Sequence, residues 1–407
     1  MSPIPPVLDA AGQTVMPHPL RVALGTTLWA RGLQHGGLDG IGSYTRELMR
    51  CLREPGSGCT AVPYVFGAGP VAGIADARDV VHAGNFPVQA LVAATVGSPF
   101  SRLHDTAQRV DLLHATDHLI PRLKDVPVVA SLMDAIPLVH PEWVSYRFKT
   151  AKHWLWKQSA QWADHVVTIS EHSRQEVARA FGLSLARISV VPLGVDGRWF
   201  GVSPADAMAR VRQAYALPER YFLVLGTLQP RKNLARIIAA HQALPAPLRR
   251  QMPLVVAGRD GGGVADVLAQ LGAGDAGDGG ALRWLRYVPD TDVKPLLQQA
   301  SALVFTSLHE GFGLPVLEAF AAGVPVVCSN TTAMPEVAGG AALQVNPLQV
   351  GEITDAMQLI ANGGADVSRM VAAGLARAQQ FSWDQTAHGT VQVYRRVLQH
   401  GGGFETR

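Results

Sequence analysis

The sequence predicts an α/β fold of two lobes, each a parallel sheet covered on both faces by helices. Three observations carry this. Short apolar runs recur along the 407 residues and alternate with helical segments, the pattern of βαβ units. Those runs are apolar throughout rather than at every second position, as strands buried on both faces must be. The pattern then pauses near 192–200 and restarts, which divides the chain into two units of similar size. Composition agrees: 48% hydrophobic and only 16% charged residues exclude a disordered chain, and 41 glycines suit a fold with many tight strand–helix turns.

Residues 1–19 hold five prolines and no hydrophobic period, and are expected to form a disordered lead. Leu20–Leu24 is the first strand. The glycine-rich stretch Gly36–Gly42 follows and opens a helix with Tyr44, Leu48, Met49 and Leu52 on one face. Strands are expected at 110–114 and 128–132, where Pro127 is tolerated at a strand's start. A helix is expected over Val144–Trp162, a strand over 166–170 running into a helix cap at Glu171-His172-Ser173, and a strand over 188–192. After the pause come strands at 221–226, 254–258, 303–305 and 325–328. Residues 259–280, with eight glycines, read as a mobile loop and a short helix. The expected organisation is lobe one over 20–195 and lobe two over 196–382. A C-terminal helix in 383–407 is expected to cross back to lobe one.

The net charge is +3, with no basic stripe, so a nucleic-acid partner is not expected. Cys51, Cys59 and Cys328 show no C-x-x-C spacing, which fits a reducing cytoplasm rather than a disulfide framework or a zinc site. The N-terminus has no signal-peptide pattern, and the longest uncharged stretches are broken by prolines, so no transmembrane helix is expected.

The densest chemical constellation is the string Glu310-Gly311-Phe312-Gly313-Leu314-Pro315, which continues to Glu318-Ala319 directly after a strand. Pro315 suits the first turn of a helix, where its missing N–H costs nothing. Glu310 then lies in the loop at the strand's carboxyl end, and Glu318 about one turn into the helix. The glycines let backbone N–H groups of 311–314 approach an anion at the positive end of the helix dipole. A carboxylate there suits sugar hydroxyls rather than phosphate. A second constellation, Gly226-Thr227-Leu228-Gln229-Pro230-Arg231-Lys232-Asn233, sits at the end of lobe two's first strand. Cations at a helix start are unfavourable without an anion, so Arg231 and Lys232 point to a diphosphate. Gly40 and Gly42 would close on that ligand from lobe one. They do not form the G-x-G-x-x-G of dinucleotide binders, and no Walker lysine is present.

Together these motifs resemble glycosyltransferase family 4, retaining enzymes of the GT-B fold with two Rossmann-like lobes facing a central cleft. The resemblance spans most of 20–395. It includes Gly40–Thr45, Val167–Ser173, Val190–Asp196, Pro230–Asn233, the Glu310/Glu318 pair, Gly323–Val327, Pro335-Glu336-Val337 and Phe381-Ser382-Trp383. It implies that lobe one binds the acceptor and lobe two a nucleotide sugar. Glu318 would bind the ribose, Glu310 the donor sugar, and Arg231 with Lys232 the leaving diphosphate. Gly226, Gly311, Phe312, Gly313 and Leu314 would complete the donor site, with no divalent metal and no cofactor. The sequence is also similar to bacterial mannosyltransferases using GDP-mannose in O-antigen or exopolysaccharide assembly. The alternatives are a UDP-sugar donor, a nucleotide-sugar epimerase and a non-catalytic nucleotide-sugar-binding protein.

One position departs from the family. A His-Asp pair is expected after the strand at 128–132, but the sequence has Met133-Asp134. Asp134 remains the catalytic candidate there, and His114, His118 and His140 are candidate substitutes for the missing imidazole. Asp290-Thr291-Asp292 is a metal-type spacing, but it precedes an apolar run and reads as a helix cap. The basic, aromatic stretch Tyr146–Lys157 suits either peripheral contact with the inner membrane surface, useful for a lipid-linked saccharide acceptor, or core packing with a solvated edge.

Overall fold

The computed structural model describes all residues except 1–6, 9–13, 16–17, 35–36, 68–70, 72, 76–78, 145, 278–280 and 401–407. Most of the expected N-terminal lead, Gly36, the end of the 259–280 stretch and the last residues of the C-terminal segment lie outside the described residues. Within the lead, Val7–Leu8 and Thr14–Val15 pair as a short antiparallel ladder.

Lobe one is a seven-stranded parallel sheet: β1 (Leu20–Gly25), β2 (Cys59–Val65), β3 (Val81–His82), β4 (Leu112–Ala115), β5 (Val128–Ser131), β6 (His165–Thr168) and β7 (Ile188–Val190). Its order is β3-β2-β1-β4-β5-β6-β7. Lobe two is a six-stranded parallel sheet: β8 (Phe222–Leu225), β9 (Leu254–Ala257), β10 (Leu282–Arg286), β11 (Ala302–Phe305), β12 (Val326–Ser329) and β13 (Leu343–Val345). Its order is β10-β9-β8-β11-β12-β13. Every residue of β4, β5, β9, β11 and β12 is buried, as strands covered on both faces require. The order reverses between β1 and β4 in lobe one and between β8 and β11 in lobe two. In such sheets ligands bind outside the carboxyl ends of the strands at this reversal.

The helices that matter for the site are α1 (Gly40–Arg53), α2 (Phe86–Val96), α3 (Lys149–Ala160), α4 (Glu171–Phe181), α5 (Leu234–Ala243), α6 (Leu314–Ala321) and α7 (Trp383–His400). The helix expected over Val144–Trp162 is shorter. A 3-10 turn at Pro141–Trp143 and a left-handed Phe148 (φ 59°) precede it, so α3 begins at Lys149. The glycine-rich 259–280 stretch is mostly one helix, Ala265–Gly277.

The chain leaves lobe two through α7, which lies on lobe one. Tyr394 Oη is 2.6 Å from His114 Nδ1, and Thr386 Oγ1 donates to the Pro192 carbonyl at 2.8 Å. At the seam, Val195 N–H donates to the Phe381 carbonyl. A Cβ on Gly194 would lie 2.2 Å from Trp383 N, so only glycine allows this backbone crossing.

Candidate active site in the interlobe cleft

The floor of the site is built where β8 and β11 end. Gly226 follows β8, and Pro230–Lys232 form a 3-10 turn that leads into α5. Asn233 is buried and left-handed (φ 60°), and its Nδ2 donates to the carbonyls of Thr306 (3.0 Å) and Pro347 (2.7 Å). Leu308 N–H donates to the Arg231 carbonyl at 2.7 Å. These bonds stitch the turn to the loop after β11 and bring three charges together. Glu310 Oε1 lies 2.6 Å from Lys232 Nζ, and its Oε2 lies 2.6 Å from Arg231 NH1. Burial alone would raise the Glu310 carboxyl, but Lys232 and Arg231 outweigh it and hold it at about 2. Lys232 Nζ also sits 4.4 Å above the Phe305 ring. Two cations thus share one carboxylate, which leaves a net positive charge at the strand ends.

Glu310 leads into α6. Gly313, with φ +117°, makes the turn that any side chain would strain, and a Cβ there would lie 2.3 Å from Met334 Cε. Among the described residues no side chain caps the N-terminus of α6, and Pro315 occupies its first turn. The Phe312 ring is buried against Phe381, so this expected donor residue has only backbone to offer a ligand. Leu314 is half-buried at the helix start. Glu318 is half-buried one turn further on. Burial raises its carboxyl to about 7, Arg198 opposes this, and Asp290 and Asp196 add to it.

Lobe one supplies the roof. Asp134 follows β5, and its Oδ1 accepts the Ile136 N–H at 3.0 Å. Burial raises its carboxyl, while that N–H and Arg231 pull it down. A Cβ on Gly311 would lie 3.1 Å from both Asp134 Cβ and the Met133 carbonyl oxygen, so the two lobes touch here. The Gly311 carbonyl also accepts from Ser170 Oγ (2.7 Å) and Ser173 Oγ (3.0 Å) of lobe one. Asp134 and the Glu310 loop, far apart in sequence, are therefore neighbours.

Other expected residues fare differently. Gly40 is the exposed start of α1, and the Gly42 N–H is taken at 2.7 Å by Asp39, which caps the helix. The Gly42 N–H is thus answered by a local carboxylate. Met133 is buried. His114 is buried between Tyr394 and Ser131, and burial lowers it to about 3. His118 is stacked 4.7 Å from Trp156, and burial lowers it to about 4. Neither histidine substitutes for the missing imidazole. His140, stacked on Trp143, is 5.3 Å from the ring of His309. Asp292 lies in the first turn of the helix Asp290–Gln298 rather than at its cap, bonded to Arg210 and Tyr215.

Sequence reasoning missed Glu176 and His309. Glu176 Oε2 accepts the Ala135 N–H at 3.1 Å, beside Asp134, and Oε1 is 2.9 Å from His309 Nε2. The signal was present: His309 directly precedes Glu310, and Glu176 follows His172 by four residues on α4.

The two lobes match known families separately. Residues 38–198 match Glycosyltransferase Family 4, and residues 206–375 match Glycosyl transferases group 1. The glycogen synthase of Mycobacterium tuberculosis is 32% identical over 311 residues, covering 71% of this chain and 70% of that enzyme. The chain belongs to glycosyltransferase family 4. The O-antigen chain mannosyltransferase B of Escherichia coli is 39% identical over 241 residues, covering 58% of the family 4 chain described here. The match spans 62% of that relative's length. The sucrose-phosphate synthase of Thermosynechococcus elongatus superposes with a TM-score of 0.70 at 17% identity, covering 94% of this chain and all of that one. At that identity the likeness shows the GT-B fold alone.

Proposed function

We propose that this family 4 chain moves mannose from GDP-mannose to a saccharide or lipid-linked saccharide acceptor in O-antigen-type polysaccharide synthesis, with retention at the anomeric carbon. The observation that carries the reading is the Arg231–Glu310–Lys232 cluster at the sheet reversal of lobe two. The name of the Escherichia coli relative supports the sugar. As the bond between the anomeric carbon and the phosphate oxygen breaks, negative charge grows on the diphosphate. Arg231 and Lys232, already fixed by Glu310 and the loop bonds, stabilise that charge without reorganising. They supply the positive charge that a divalent metal would otherwise provide. Glu310 stays ionised and accepts from donor-sugar hydroxyls, Glu318 accepts from the ribose, and Asp134 faces the sugar from the acceptor lobe.

Thermal-shift screening of GDP, UDP and ADP sugars tests the donor. GDP-mannose is expected to give the largest rise in Tm, and selective stabilisation by a UDP-sugar would reject the assignment. Mannosyl transfer should then appear only with acceptor present, which separates a transferase from an epimerase or a non-catalytic binder. Asp134→Ala is expected to lower turnover about 100-fold while leaving the melting curve close to wild type. Near-wild-type turnover would remove Asp134 from the site.

The reading includes peripheral contact with an anionic membrane surface. No helix among the described residues is long and apolar enough to cross a membrane. Instead, α2 carries no charged residue and exposes Val88, Leu91, Val92 and Val96. It packs beside α3, where Trp154 and the preceding Phe148 are exposed among Arg147, Lys152 and Lys157. Apolar side chains rimmed by exposed cations suit the headgroup boundary of anionic lipid. Trp156, by contrast, packs against the core of lobe one. Co-sedimentation with phosphatidylglycerol vesicles is expected at low salt and should weaken as salt rises. Absence of binding at low salt would remove the membrane contact.

A further inference from the structure

The cleft contains a second polar cluster that the transfer reading does not use as a group. His172 and Glu176 lie four residues apart on α4, so they share one face of that helix. His309 reaches them from the loop after β11 in lobe two. The His309 Nε2 is 2.9 Å from Glu176 Oε1, and the His172 Nε2 is 3.9 Å from the same oxygen. The three ligand atoms lie within 4.8 Å of one another, and among the described residues this is the one His/Cys/Asp/Glu group so arranged. The side chains of His309 and Glu176 are each 8% exposed, and that of His172 is 28% exposed. Both Nε2 atoms are buried; that of His309 faces Glu176 Oε1, and that of His172 makes no hydrogen bond among the described residues.

Such an arrangement is costly as it stands. The carboxylate oxygen could accept from both rings, but at 3.9 Å the His172 Nε2 is beyond hydrogen-bond reach and is buried without a partner among the described residues. A divalent cation satisfies all three groups. Two imidazoles and one carboxylate are a zinc-type donor set with an open fourth position for water, and they disfavour magnesium, which takes oxygen ligands. Zinc needs these donors about 2.0–2.1 Å away, so the cluster would close inward by about 1 Å. The other oxygen of Glu176 is already held by the Ala135 N–H, which orients the carboxylate as a bonded partner does in metal sites.

We propose that His172, Glu176 and His309 bind a zinc-class divalent cation that ties lobe one to the Glu310 loop of lobe two. The ion's ligands are distinct from the diphosphate cations Arg231 and Lys232, although Arg231 NH1 donates to the His309 carbonyl at 3.4 Å. When bound, it fixes α4 against the loop, so it stabilises one arrangement of the cleft and slows transfer.

The test uses the full chain, stripped with EDTA and without nucleotide, titrated with zinc chloride against a chromophoric chelator. One zinc ion per chain is expected, with a rise in Tm. His172→Ala and His309→Ala are each expected to weaken binding at least about tenfold, and magnesium in excess should not compete. His172 is partly exposed on its helix, so His172→Ala keeps the proposal testable if His309→Ala does not fold. Absence of zinc binding, or stoichiometric binding unchanged in His172→Ala, would overturn the site. The titration needs no donor, so its outcome is independent of whether mannosyl transfer is found.

Discussion

Lys232→Ala is expected to lower turnover with GDP-mannose by about 100- to 1000-fold, the loss seen when one preorganised donor to a developing charge is removed. Lys232 Nζ is held at 2.6 Å from Glu310 and 4.4 Å above Phe305, so its position is set before any ligand arrives. Burial lowers its pKa, and the Glu310 carboxylate opposes that. Removing Lys232 leaves Arg231 and Ser307 as partners of a buried carboxylate. Glu310 would then lose part of what holds it at about 2. The fold should survive, because Arg231 still pairs with Glu310 and Asn233 still ties the turn to the Thr306 and Pro347 carbonyls. The decisive comparison is turnover against GDP affinity. A group acting on the leaving diphosphate should lose more in turnover than in ground-state binding. Lys232→Arg should recover only part of the rate, since a planar guanidinium does not replace a compact ammonium beside Glu310 and the Phe305 ring. A loss below about tenfold in turnover would show that Lys232 is structural.

The parts legible in the sequence were those written locally. Runs such as Leu254–Ala257 and Ala302–Phe305 declare themselves because both faces are buried. The strands β2, β3, β10 and β13 did not. β2 contains Pro63, which is tolerated because its outer neighbour β3 is only two residues long and pairs with Tyr64 and Val65. β10 alternates leucine with arginine and tryptophan at the far edge of its sheet, so it reads as surface. The Glu310, Arg231 and Lys232 motifs were visible one by one, but that both cations pair with the one carboxylate follows only from the adjacency of β8 and β11. The approach of Asp134 to Gly311, and of Glu176 to His309, depends on how the lobes meet, and no local pattern encodes that. The bond from the Gly42 N–H to Asp39, three positions away, is local and still went unread.

Glu318→Gln is expected to stabilise the free protein above neutral pH and to weaken nucleotide binding. In the folded chain burial raises the Glu318 carboxyl from its ordinary 4.5 to about 7, against the pull of Arg198. The folded state therefore binds more protons than the unfolded state between those values. Stability from this group is highest below pH 4.5 and falls as pH rises through 7, then levels off. At about 1.4 kcal/mol per unit the loss is at most about 3.5 kcal/mol, and partial exposure reduces it to about 1–2 kcal/mol. Glutamine cannot ionise, so the variant escapes the descent. Its Tm should exceed wild type by about 4 °C at pH 8 and match it near pH 4.5. A Tm difference equal at both pH values would show that the effect is packing and not ionisation. Function should move the other way. A ribose hydroxyl donates more strongly to a carboxylate than to an amide, so GDP affinity should fall about tenfold or more. Binding should also draw a proton off Glu318 in the wild type, so GDP affinity should rise between pH 6 and pH 8. The variant should lack that rise. On the proposed role, the residue that costs the empty lobe stability would be the one that holds the nucleotide.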